Sequence, residues 1–123
     1  MAKGDDIQER LINFAVTMIN VSSELPNNRA GNHISGQILR CGTSPAPNYG
    51  EARGAESKKD FIHKLKIVLK ELNETTVWLI IIQRSNMLTD DIVLLILKEC
   101  RELCKIITAS IKTALRSLRE KKF

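Results

Sequence analysis

The sequence predicts an all-α protein, an antiparallel bundle of four helices, on three observations. Apolar residues recur at alternating spacings of four and three along most of the chain, which is the period of one face of an α-helix. The connections between these stretches are short, so successive helices are antiparallel neighbours. No stretch reads as a strand. At 123 residues the chain has the length of one domain with one core, spanning residues 1–123.

The first helix follows from Ile7, Leu11, Phe14, Met18, Val21 and Leu25, spaced 4, 3, 4, 3, 4. Asp5 and Asp6 suit the positive end of its dipole, and Pro26 with the turn formers Asn27 to Gly31 ends it near Leu25. A second apolar set on this helix, Ile12, Val16 and Ile19, points away from the first. That is more apolar surface than one small core requires.

A second helix is expected from Asn32, with Ile34, Ile38, Leu39 and Cys41 on its inner side. Pro45 and Pro47 lack the backbone N–H and disfavour helical geometry in the residue before them, so this helix should kink or break between Gly42 and Ala46. A turn can resume from Pro45, capped by Thr43 or Ser44. Gly50, Ala52, Gly54 and Ala55 are small enough for another backbone to come close, with Gly54 as a helix end.

Ser57-Lys58-Lys59-Asp60 has the pattern of a capping box. The third helix then carries Phe61, Leu65, Val68, Leu72, Thr75, Leu79 and Ile82 inward, with Lys66, Lys70 and Glu74 along a solvated side where Lys70 and Glu74 pair. After a tight connection at Asn86 to Leu88, Thr89 caps a fourth helix that opens on Asp90 and Asp91. Its inward series is Ile92, Ile96, Cys100, Leu103, Ile107, Ile111, Ala114 and Leu118. Ile92 to Leu97 are six apolar residues in succession, and a helix apolar all round is buried on all sides. With the surplus on the first helix and the Ile80-Ile81-Ile82 run, this predicts a homo-oligomer joined through helical faces.

Composition narrows the function. The longest uncharged run, Leu11 to Ser23, is shorter than the ~18 residues of a membrane span, and the residues before it are not net positive as a secretory leader would be. A cytoplasmic protein without a membrane role is expected. Three cysteines without short-loop spacing read as reduced thiols in the core rather than a disulfide framework. Of the net charge of +5, residues 1–57 hold five Lys or Arg against six Asp or Glu, and residues 58–123 hold 14 against eight. The positive excess belongs to the second half and points to an acidic partner.

Catalytic and metal chemistry find little support. A di-metal bundle needs Glu-x-x-His on each of two helices, whereas Asp60-Phe-Ile-His63 has that spacing once, with Asp for Glu, and His33 has Ala30 three residues before it. Cys100 and Cys104 stand one turn apart, but no close-spaced loop pair completes a zinc site with Cys41. No phosphate loop or activated nucleophile stands out. A non-enzymatic protein with no cofactor is the expectation.

The basic residues fall into two groups. Arg40, Arg53, Lys58 and Lys59 surround the turn between the second and third helices, and Lys105, Lys112, Arg116, Arg119, Lys121 and Lys122 mark the last helix and tail. Lys105, Lys112, Arg116 and Arg119 follow spacings of 7, 4 and 3 and share one side of their helix, a stripe fit to track phosphates or simply to face water. Stacking aromatics are scarce there, so binding to nucleic acid would be electrostatic rather than base-reading.

Arg40-Cys-Gly-Thr-Ser44, Asn48-Tyr-Gly-Glu51-Ala52 and Glu71-Leu-Asn-Glu74-Thr75 followed by Trp78-Leu79 resemble the 23S rRNA intervening-sequence protein family, also called four-helix bundle proteins. The resemblance covers most of the chain. It implies an up-and-down four-helix bundle that assembles as a homopentamer, and kinship with accessory bundle proteins of diversity-generating retroelements, which look like basic pentamers binding nucleic acid and a reverse transcriptase. Ser44, Asn48 and Glu51 match the family motif and are expected to act structurally near the junction of the second and third helices. The family pattern has aliphatic or small residues over much of the span where Pro45 and Pro47 stand. Two functions follow as expectations: a non-enzymatic oligomer binding RNA or DNA through basic residues, or a scaffold whose partner is a protein.

Overall fold

The computed structural model describes residues 4–120. Its helices are α1 (Asp5–Glu24), α2 (Arg29–Thr43), α3 (Pro45–Arg53), α4 (Lys58–Arg84) and α5 (Asp90–Glu120), with no strand among the described residues. Helices α2 and α3 together form the second of four bundle rods. Ser44 between them keeps right-handed helical dihedrals, φ −63° and ψ −36°, and the chain bends there because Pro45 and Pro47 cannot donate to the carbonyls one turn earlier. The longest rod, α5, has 31 residues and is about 46 Å long at 1.5 Å per residue.

Neighbouring rods are α1 with α2 and α3, these with α4, α4 with α5, and α5 thinly with α1. Helices α1 and α4 are therefore diagonal, as are α2 and α5, and the outer face of α1–α2 lies opposite that of α4–α5. Across the thin α5–α1 seam, the Arg10 guanidinium grips Glu99 with two hydrogen bonds of 2.6 and 3.1 Å.

The 4, 3 apolar series lines the core. Leu11, Met18, Ile38, Leu72, Leu79 and Ile107 are fully buried, and burying such a side chain contributes roughly 1.5–3 kcal/mol. Thr75 is also fully buried, and its hydroxyl donates to the Glu71 carbonyl at 2.8 Å within its own helix.

Several expectations are corrected. The second helix starts at Arg29 rather than Asn32, because the Asn28 side chain accepts the Gly31 N–H at 2.8 Å and turns the supposed loop into a capped first turn. Leu39 is exposed, not inward, since Ile38 and Cys41 already fill that side. On α5, Val93 and Leu97 take the core positions beside Ile96, while Ile92, Leu94 and Leu95 are exposed on the protomer. Ile62 is buried and Phe61 only half-buried. Neither Thr43 nor Ser44 caps α3: the Thr43 hydroxyl bonds the Leu39 carbonyl, and no side chain caps that helix start. Glu74 pairs with Arg40 rather than with Lys70. Ser57 does cap α4, its hydroxyl accepting the Asp60 N–H at 3.1 Å.

In the Gly50 to Ala55 segment Ala52 is buried, but neither Gly50 nor Gly54 has another helix's backbone within 4 Å of a Cβ position; the tightest glycines are Gly31, whose Cβ would lie 1.9 Å from the Pro26 carbonyl oxygen, and Gly42. A Cβ on Gly42 would lie 2.2 Å from Met18 Cγ, so only glycine lets α2 settle on the buried Met18.

Candidate nucleic-acid interface

The outer face of α4–α5 gathers two basic stripes. Along α5, Arg101, Lys105, Thr108 and Lys112 succeed one another at spacings of 4, 3 and 4, with Arg116 and Arg119 continuing the line. Along α4, Lys66, Lys70 and Asn73 follow at 4 and 3. Between the stripes lies an open groove of about 400 Å³, lined by Leu69, Asn73, Cys104, Lys105, Thr108 and Lys112 among others. Lys105 sits 3.9 Å from Glu102. Lys66, Lys70, Lys112, Arg116 and Arg119 are exposed and make no ion pair among the described residues.

The basic residues near the proline turn are spent on the bundle itself. Arg40 bridges Glu71, at 3.2 Å, and Glu74, and also donates to Gln37 at 3.3 Å. Arg53 donates to Asp5 at 2.6 Å, tying the end of α3 to the start of α1. The Lys58 ammonium donates to the Ser117 hydroxyl at 2.6 Å, joining α4 to the last turns of α5. Lys59 is exposed, and Lys121 and Lys122 lie outside the described residues. Lys66, Lys70 and Arg101 join the face without being among the candidates that the sequence singles out, although the spacing that sets Lys66 and Lys70 in line with Asn73 is visible there.

The residues of the three sequence motifs contact one another. Asn48 Nδ2 donates to the Ser44 carbonyl at 3.0 Å and to its hydroxyl at 2.9 Å. Glu51 lies 3.8 Å from Lys64. The Trp78 indole N–H donates to Glu74 Oε2 at 3.1 Å, and the Trp78 ring meets His33 edge-on at a centroid distance of 6.0 Å. Arg40, Glu71, Glu74 and Trp78 thus form one polar lattice across the α2–α4 seam.

Cys104 opens into the basic groove, its thiol 3.6 Å from Asn73 Oδ1. One turn earlier, Cys100 is buried, with Thr76 Oγ1 at 3.3 Å and the Leu72 carbonyl at 3.4 Å. A hydrogen bond with Cys100 draws the Cys104 thiol down to about 7, and the same bond together with burial pushes Cys100 up. Burial also raises Cys41. Among the described residues, no three His, Cys, Asp or Glu side chains gather where they would hold a metal ion, and no helix is long and apolar enough to cross a membrane.

Comparison with known proteins places this architecture. No curated protein matches the chain. A crystal structure from Bacteroides thetaiotaomicron VPI-5482, of a protein of unknown function from the S23 ribosomal protein family, is similar at TM-score 0.82 and 38% identity, over 86% of this chain and 98% of that one. Neither that description nor the family's names a catalysed reaction. The model of the 23S rRNA-intervening sequence protein family matches residues 5–109, so the chain belongs to that family.

Proposed function

We propose that the protein is a non-enzymatic, homo-oligomeric bundle that binds RNA or DNA by phosphate contacts along the α4–α5 face. The observation that carries this reading is a groove lined by Lys105 and Lys112 and continued along its two helices by exposed Lys66 and Lys70 on α4 and Arg116 and Arg119 on α5, which with Lys112 make no ion pair among the described residues. Each cation that meets a phosphate releases a condensed counterion, which makes binding favourable and salt-dependent. No aromatic side chain lines the groove, so bases are not stacked and the recognition is of backbone and shape. Arg40 and Arg53, being ion-paired within the bundle, contribute little. The family resemblance supports the oligomeric part, in five copies, and the kinship it implies with accessory bundle proteins of diversity-generating retroelements is part of the same proposal for the nucleic-acid role.

A second reading, a scaffold for a protein partner, draws on exposed Val77, Ile81, Leu94 and Leu95 beside the same stripes. Salt separates the two. Binding of a structured RNA and of duplex DNA is measured by fluorescence anisotropy from about 50 to 200 mM salt, with the particle mass recorded in the same buffer. The proposal expects submicromolar affinity at low salt and a steep linear fall of log K against log salt. Absence of binding at low salt refutes it and leaves the protein scaffold.

A further inference from the structure

The basic groove between α4 and α5 has a nucleophile in its wall. Cys104 is half-buried and opens into about 400 Å³ of space, at the lower end of the range for small-molecule sites. Cys41 and Cys100 are fully buried, so Cys104 is the thiol that a molecule entering from solution meets.

The groups around this thiol suit its anionic form. Lys105 adjoins it and Lys112 stands two turns further on, both exposed and both lining the groove. On α4, Lys70 is one turn from Asn73, whose side-chain oxygen lies 3.6 Å from the Cys104 sulfur and whose amide can turn to offer an N–H to a thiolate. The carboxylates nearest along the two helices are engaged elsewhere, Glu102 with Lys105 at 3.9 Å and Glu71 with Arg40 at 3.2 Å. From beneath, interaction with Cys100 draws the thiol below the ordinary cysteine value and raises the share of thiolate, the form that attacks disulfides.

Cys100 favours that attack but is badly placed to complete it. Residues four apart on a helix have Cβ atoms about 5–6 Å apart, whereas a disulfide needs about 3.5–4.5 Å. Closing the pair would distort the middle of α5, where the Cys100 thiol also bonds the Leu72 carbonyl at 3.4 Å.

We propose that Cys104 is a mixed-disulfide site for anionic, low-molecular-mass disulfides, which the lysines of the groove attract and hold. The Cys104 thiolate attacks one sulfur of the incoming molecule and forms a new S–S bond. The S–S bond of that molecule breaks, and its other half leaves as a thiolate that takes a proton from water. One disulfide is consumed and one is formed, so the exchange needs no further oxidant. The retained half lies in the groove with its carboxylates toward Lys105 and Lys112. Because Cys100 does not reach the new bond, the adduct persists until a thiol from solution reverses the exchange. The site is independent of the nucleic-acid reading, since it needs the groove's lysines and its thiol and no phosphate chain.

The test compares glutathione disulfide, which is anionic, with cystamine, which is cationic. Each rate is divided by that of the same disulfide with N-acetylcysteine amide, a neutral thiol, and adducts are located by peptide mass mapping. The expected result is a glutathione adduct at Cys104, with a normalised preference for the anionic disulfide of about tenfold at low salt. That preference should vanish at about 1 M salt, where charges are screened beyond about 3 Å. Lys105→Gln with Lys112→Gln, both at exposed positions and checked for folding by circular dichroism, should remove most of it, and Cys104→Ser should remove the adduct. Equal normalised rates for the two disulfides, or a preference that survives loss of the two lysines, overturn the assignment. So does a loss of two hydrogens without an adduct, the signature of a Cys100–Cys104 disulfide, and so does an unmodified Cys104.

Discussion

Gly42 and Cys104 show how much a single position does here. At Gly42 the missing side chain lets α2 rest on Met18, which has no exposed surface. Gly42→Ala forces the Cβ into Met18 and should destabilise the fold by roughly 1–3 kcal/mol, the range for overpacking a filled core, read as a lower urea midpoint with unchanged slope. Cys104 reports chemistry instead of packing. Interaction with Cys100 holds the Cys104 thiol below the ordinary cysteine value, so alkylation by iodoacetamide should set in at lower pH there than at Cys100, kept protonated by that same interaction and by burial, or at Cys41, kept protonated by burial. Removing the interaction with Cys100→Ala should move that onset back toward the ordinary cysteine value. Neither role is legible in the sequence. A glycine between Cys41 and Thr43 looks like any other, and the partner that makes it necessary is on another helix. The two cysteines one turn apart are visible, but the direction of their hydrogen bond depends on which of them faces the core.

The elements themselves are largely legible, because the apolar period and the capping residues act locally. Ser57 and Asn28 each hold a free N–H at the start of a helix, Asp60 at 3.1 Å and Gly31 at 2.8 Å. Ser57→Ala and Asn28→Ala should each cost about 1 kcal/mol, within the range of lost N-caps, and thermal melts of the two variants check this. Ser57 is recognisable from the carboxylate three residues on. Asn28 is not, because Pro26, Asn27 and Asn28 together read as a turn, and so they conceal the first turn of α2. Leu39 and Ile92 mislead for a different reason. Within an unbroken apolar run such as Ile92 to Leu97, period cannot say which residues face the core, and the answer is set by how the other helices pack: Val93 and Leu97 are buried, and Ile92 is exposed. The proline junction is plain in the sequence, whereas its helical continuity through Ser44 rests on Pro45 being well placed as a first helical residue.

At the scale of the whole molecule, the charge asymmetry seen along the sequence becomes an asymmetry in space. The acidic first half supplies α1, with Asp6, Glu9 and Glu24 exposed, and the basic second half supplies α4 and α5 on the far side. Because α4 and α5 border the same groove, their lysines should act together even though they are about 40 residues apart in the chain. Lys66→Glu with Lys70→Glu on α4 should therefore weaken RNA binding about as much as Lys112→Glu with Arg116→Glu on α5, each pair lowering affinity at least about tenfold and reducing the salt slope by about 2, one for each phosphate no longer neutralised. Arg40→Ala, which removes an ion-paired charge from another face, should leave the slope unchanged. Cys104 supplies an independent check, since it opens into the groove between the two lysine pairs. Bound RNA should slow its alkylation in the natural chain and protect it less in either charge-reversed variant. Equal weakening by the two pairs, with protection of Cys104, locates the phosphates between α4 and α5. Weakening by the α5 pair alone would instead place the nucleic acid along the last helix and away from the groove.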